Sequence, residues 1–322
     1  MTKHAIFRAA TIVLVALALG LTGRMQSAQA VTSENVPGEV LVKLLTATDL
    51  AAVAQDFHLD AAPLSQFGAR PIYRLRILDG SDPARLSALL LLDPRIVFAE
   101  PNLVDQAPEA RFESSWSVGG DAGGYTAQWA GAAINLPQAQ TVTRGAGITV
   151  AVLDTGIDAT HPLFAGASGR LRPGFDFVDM DSDPAEVGVA GLNPAFGHGT
   201  HVAGLVALVA PEARIMPVRV LDQNGMGNAW VLAEALKYAV NPSGDPALQD
   251  GADVINLSLS TTLNSKLVKD VLQAVTCAEI LPPGSTNLPC LAGNGHGAVV
   301  AVAAGNSAST KAEFPAGLHT GG

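Results

Sequence analysis

Three polar side chains stand where apolar runs end, and together they could move a proton and hold a developing negative charge. Asp154 follows the run 148–153, Asn306 follows the run 299–303, and His198 opens a helical stretch that reaches Val209. An imidazole can take up a proton near neutral pH, a carboxylate can fix its tautomer and stabilise the imidazolium, and a side-chain amide can donate to an oxyanion. His201 lies three residues beyond His198 on the same helix face, a spacing that metal sites also use. No Glu or Cys set completes a zinc site around the two, so no metal is expected and His201 reads as a packed structural histidine.

The elements that must hold these groups are legible from the same runs. Residues 148–153, 215–221, 254–259 and 299–303 are continuous apolar stretches of strand length, separated by helical patterns over 200–209, 229–240 and 266–278. Strands buried on both faces and alternating with helices predict an α/β domain with a doubly wound, mostly parallel sheet, whose functional groups gather beyond the carboxyl ends of the strands. Ahead of it, residues 31–105 read as a small ferredoxin-like α+β unit: strands at 38–44, 71–77 and 96–99, a helix that Thr48 could cap, and a second helix begun by Asp82-Pro83. Residues 106–124 turn to Pro, Glu, Ser and Gly without periodicity and read as an exposed, easily cut linker. Residues 125–322 then form the larger domain.

Residues 1–30 read as an address. Lys3 and Arg8 precede an apolar run from 9 to 21, and Ala28-Gln29-Ala30 closes it, the three-part pattern of a secretory signal peptide. The run is short for a spanning helix, so the chain is expected to be secreted or periplasmic, with no membrane contact after cleavage. Its 322 residues, 48% hydrophobic and 15% charged, can bury a large core. A formal charge of −10 argues against a nucleic-acid partner.

The motifs resemble those of the subtilisin-like serine proteases. The segment Val150-Ala151-Val152-Leu153-Asp154-Thr155-Gly156-Ile157-Asp158 is similar to the turn that carries the family's catalytic aspartate, and Gly197-His198-Gly199-Thr200-His201-Val202-Ala203-Gly204 to its histidine motif. Ala303-Ala304-Gly305-Asn306 is similar to the segment of the oxyanion-hole asparagine, and residues 253–260 to the strand that pairs with substrate. The resemblance implies an endopeptidase acting on polypeptides without a cofactor, with Asp154 and His198 catalytic and Asn306 in the oxyanion hole. It also implies that Ser258, Leu259 and Ser260 on one rim and Gly225, Met226 and Gly227 on the other present backbone to an extended peptide. Residues 37–104 resemble the family's propeptide, a chaperone and inhibitor of its own protease.

The chain departs from the family in three places. The nucleophile motif Gly-Thr-Ser-(Met/Leu)-Ala is absent from all 322 residues, and Gly317-Leu318-His319-Thr320-Gly321-Gly322 stands where the family has an apolar strand. The expectation is a serine endopeptidase precursor incomplete at its carboxyl end and inactive as it stands. The alternative is a non-catalytic peptide-binding or protease-inhibitory protein. Second, residues 207–214 run straight through where many relatives insert a calcium loop, so that site is not expected. Third, a Pro- and Gly-rich insertion over 279–296 has Cys277 and Cys290 at or near its base; a disulfide and two free thiols both fit this spacing.

Overall fold

The computed structural model describes residues 34–107, 122–165, 169–245, 247–261, 264–277, 285, 287–293, 297–306 and 313–317. The predicted signal peptide, residues 108–121 of the linker and much of the 279–296 insertion lie outside them. Among the described residues no helix is long and apolar enough to cross a membrane.

Period-two alternation builds the amino-terminal layer. β1 (Asn35–Leu44), α1 (Leu50–Asp56), β2 (Ser65–Gln66), β3 (Ile72–Arg76), α2 (Pro83–Leu90) and β4 (Ile96–Gln106) follow one another, and the strands pair antiparallel in the order β2-β3-β1-β4. This is the ferredoxin-like arrangement. Asp82 caps α2 by accepting from Arg85 N–H at 2.9 Å, with Pro83 at the first helical position. The helix expected after Thr48 starts instead at Leu50, behind a 3-10 turn, and no side chain caps it. Along β1, Val40, Val42 and Leu44 face a core of this layer alone, with Val53, Leu75, Leu86 and Leu90. Leu41 faces the other way, into a core shared with the rest of the molecule.

Continuous apolar runs build the second layer. Three short helices, α3 (Ala122–Thr126), α4 (Trp129–Ala133) and α5 (Leu136–Val142), lead into β5 (Thr149–Asp154). Then come α6 (Pro162–Ala165), β6 (Phe175–Asp176), α7 (His198–Val209), β7 (Arg214–Arg219), β8 (Met226–Asn228), α8 (Ala229–Val240), β9 (Val254–Leu257), α9 (Lys266–Thr276) and β10 (Val299–Val302). The sheet order is β10-β9-β5-β7-β6, parallel at every pairing, as the apolar runs predict. Every residue of β5 is buried, because it is the central strand with neighbours on both edges and helices on both faces. A disulfide joins Cys277 to Cys290 behind α9.

β4 is where the two layers meet. Sequence alternation ends it near Ala99, but the strand runs to Gln106 and leaves its own sheet to pair antiparallel with β8, Asp105 opposite Gly227 and Gln106 opposite Met226. The shared core lies beneath this crossing: Leu41, Phe67, Ile72, Phe98 and Leu103 of the first layer pack with Trp230, Leu232 and Leu236 of α8 and Val268 of α9. The described residues, all from Glu34 onward, belong to one compact unit.

Candidate active site

The parallel sheet delivers Asp154 and His198 to one point. Asp154 ends β5, 1% exposed, and its main-chain carbonyl accepts from Val220 and Leu221 N–H beyond β7 at 2.8 and 3.2 Å. His198 is the first residue of α7, and its Nδ1 lies 2.6 Å from Asp154 Oδ1. The same oxygen accepts Thr155 N–H at 2.8 Å. A carboxylate facing Nδ1 selects the tautomer with hydrogen on that atom, which assigns the role of proton acceptor to Nε2.

Such a short approach requires a helix without side chains on its near face. A Cβ on Gly199 would stand 2.2 Å from Gly156 O and 3.2 Å from Asp154 Cβ, so only glycine lets α7 close on the turn. Gly156 itself has φ +117°, and a side chain there would meet Ala185 O at 2.7 Å. That contact reflects a strand-like pairing of Ile157 with Ala185, which brings Glu186 against both the Asp154 turn and the start of α7. Glu186 accepts from Thr155 Oγ1 (3.1 and 3.2 Å), Gly197 N–H (3.2 Å), Thr200 N–H (3.0 Å) and Thr200 Oγ1 (3.2 Å). Burial pushes its carboxyl up. Sequence reasoning missed Glu186, since no periodicity or motif marks a residue twelve positions before the histidine.

The strands flanking β5 grow into two rims. Beyond β7 the chain turns through Asp222–Gly225 into β8; beyond β9 it continues to Ser260. Because β7 and β9 are the two neighbours of β5, the cleft between the rims opens at the carboxyl edge where Asp154 lies. The end of β4 fills it. Gln106 and Ser260 exchange both backbone hydrogen bonds at 2.9 Å, and Ala107 N–H donates to Gly225 O at 2.9 Å. Of the six predicted rim residues, Gly225, Met226, Gly227 and Ser260 pair with this strand. Leu259 turns its side chain into the core, and Ser258 Oγ accepts from Asn256 Nδ2 at 3.0 Å.

Asn306 is exposed, four residues past β10. β10 runs parallel to β5 with β9 alone between them, so Asn306 and Asp154 both stand toward the carboxyl ends of their strands. In the acidic stretch 176–183 Asp176 is buried, while residues 179–183 are exposed. The guanidinium of Arg219, itself 1% exposed, reaches Asp176 and Asp179, each at 2.5 Å, so the chain supplies its own cation there. No cluster of three His, Cys, Asp or Glu that could hold a metal occurs among the described residues.

Asp105, at the tip of β4, is buried, and its Oδ2 has no hydrogen-bond partner among the described residues. Beside it Leu232, Thr261, Ser265, Val268, Phe314 and Pro315 line a cavity of about 10 Å³. Burial, helped by the charge of Glu100, pushes the Asp105 carboxyl up to about 7.

Residues 145–320 match the model of the subtilase family, Peptidase S8. The chain is 35% identical to thermitase of Thermoactinomyces vulgaris over 193 residues, 57% of this chain and 56% of thermitase. It is 30% identical to a thermophilic serine proteinase of Bacillus sp. (strain AK1) over 295 residues, 87% of this chain and 62% of that protein. The crystal structure of fervidolysin from Fervidobacterium pennivorans, described as a keratinolytic enzyme related to subtilisin, superposes with a TM-score of 0.58 at 21% identity, over 89% of this chain and 42% of that one. That likeness is one of fold. The chain spans about three-fifths of the two curated relatives' lengths.

Proposed function

The chain belongs to the subtilase family of serine endopeptidases, and from that premise we propose that His198 is the general base and acid of a peptide-hydrolysing triad and Asp154 the carboxylate that orients it. The single observation that carries this is their buried 2.6 Å contact beside a cleft built to pair with extended backbone. In the proposed reaction a serine Oγ attacks the scissile carbonyl while His198 Nε2 takes its proton and returns it to the leaving amine, and water then repeats the sequence on the acyl-enzyme. Asp154 holds the tautomer and stabilises the imidazolium. Asn306 donates to the oxyanion of each tetrahedral intermediate. This chemistry asks for no cofactor.

Gly-Thr-Ser, the family's nucleophile motif, does not occur in residues 1–322, so the serine of the proposed reaction is not among them. Residues 34–107 act as the enzyme's own propeptide, with β4 held in the cleft as a substrate would be. The pairing of Gln106 with Ser260 and Ala107 with Gly225 supports this. Minor extracellular proteases of Bacillus subtilis (strain 168) are among the relatives, in keeping with export by the signal-like residues 1–30. The alternative, peptide binding or protease inhibition without catalysis, rests on the absence of Gly-Thr-Ser from residues 1–322.

A fluorophosphonate probe, which reacts with activated serines, separates the two. Protein expressed from the gene with its downstream sequence read in all three frames is expected to carry Gly-Thr-Ser and to label, and His198→Ala to abolish labelling. The 322-residue chain is expected to stay unlabelled. An extended protein that shows no labelling after removal of residues 34–107 overturns the enzymatic reading.

A further inference from the structure

Four donors from two separate segments converge on the Glu186 carboxylate, and those segments are the ones that carry Asp154 and His198. The two threonine hydroxyls involved are each used twice. Thr155 Oγ1 also accepts from Gly199 N–H at 2.9 Å, and Thr200 Oγ1 from Asp158 N–H at 2.8 Å. Each hydroxyl therefore spends its hydrogen on Glu186 and its lone pair on the backbone, which leaves one consistent direction for every hydrogen bond in the network. All of these partners donate, so the network needs an acceptor on both oxygens. A neutral amide in this place would turn an NH₂ toward an N–H.

The charge matters as well as the shape. His198 is the first residue of α7, where unpaired amides and the helix dipole place about half a positive charge. That end of a helix disfavours an imidazolium, yet a general base must become one in the transition state. Asp154 faces the ring from β5, and Glu186 sits at the start of the same helix from the preceding loop.

Resting on the proteolytic reading of the site, we propose that Glu186 is its positioning residue, clamping the Asp154 turn to the first turn of α7 and offsetting the positive end of that helix behind His198.

The 322-residue chain can be tested as it is, by NMR of the histidine ring. The wild type is expected to show a low-field Nδ1–H signal from the Asp154–His198 contact and a titrating Cε1–H of His198. Glu186→Gln is expected to broaden or abolish the low-field signal and to lower the His198 midpoint by about half to one pH unit, the effect of removing one partly buried charge from the first turn of a helix. Thr155→Val, nearly the same shape, is expected to weaken the low-field signal, while Thr155→Ser restores it; this pair carries the test if Glu186→Gln does not fold. A plain loop anchor would lower the melting temperature only. Variants that melt earlier but keep both the low-field proton and the wild-type midpoint overturn the proposal. A wild-type chain with no low-field proton overturns the proteolytic reading, and this inference with it.

Discussion

At the scale of single residues, the approach of α7 to Asp154 hangs on one missing methyl group. Alanine at 199 would put carbon 2.2 Å from Gly156 O, a backbone atom that cannot swing away, so the helix must back off from the turn. Gly199→Ala is expected to cost about 1–3 kcal/mol, the usual range for overpacking, measured as a lower urea midpoint at unchanged slope. It should also remove the low-field His198 signal. Gly204→Ala, on the same helix, meets nothing nearer than Leu163 Cδ2 at 3.4 Å and should gain helix propensity without touching that signal. Equal behaviour of the two variants would refute the steric argument. The same residues mark how far sequence could see. Asp154 and His198 were legible because each sits at a fixed place on a regular element, one ending a strand and one opening a helix. Glu186 was not, because its partners meet only through loop packing, and an acid after Asp183-Pro184-Ala185 looks like any solvated acid.

Strands follow the same division. β5 and β9 were visible as apolar runs because burial on both faces demands apolar side chains at every position. The far half of β4 was hidden for the opposite reason. Pro101 interrupts it, and Asp105 puts a carboxyl where alternation calls for an apolar residue; its partners, β8 and Ser260, lie more than a hundred residues away. That buried carboxyl gives the docking of β4 a pH dependence of definite sign. Its pKa is about 7 when docked and 3.8 ordinarily, so the docked strand holds a proton that the free strand loses. Docking is therefore strongest below about pH 4 and weakens as pH rises toward 7, by up to about tenfold per unit, before levelling off. Glu100 on the same strand, also raised by burial while it accepts from Ser265, Lys266 and Leu267 of the α9 start, acts in the same direction. Hydrogen exchange at the amides of residues 103–107, corrected for intrinsic rates, should lose protection between pH 5 and 7.5 in the wild type. Asp105→Asn should flatten most of that slope; a slope unchanged by the substitution would rule Asp105 out as its source.

For the whole molecule, the question is whether the first layer stays when its tether is cut. One face of its sheet is satisfied by its own helices. The other presents Leu41, Phe67, Ile72, Phe98 and Leu103 to α8 and α9, with the Phe67 ring edge-on to Trp230 at 6.2 Å and Lys237 Nζ 4.9 Å above it. Separation would bare that apolar face and the free edge of β4 at once. Against this, a nick in residues 108–121 removes only the tether, whose effective concentration is of millimolar order. Protein nicked there at pH 5 is therefore expected to elute from gel filtration as one complex of the 34–107 fragment with the remainder at about micromolar concentration. Raising the pH above 7, which ionises Asp105, should shift the mixture toward two peaks and move Trp230 emission to the red. Phe67→Asp should separate the fragments already at pH 5. Two clean peaks from nicked wild-type protein at pH 5 would mean that the shared core holds the layers together only through the covalent chain, and that β4 occupies the cleft by proximity rather than by affinity.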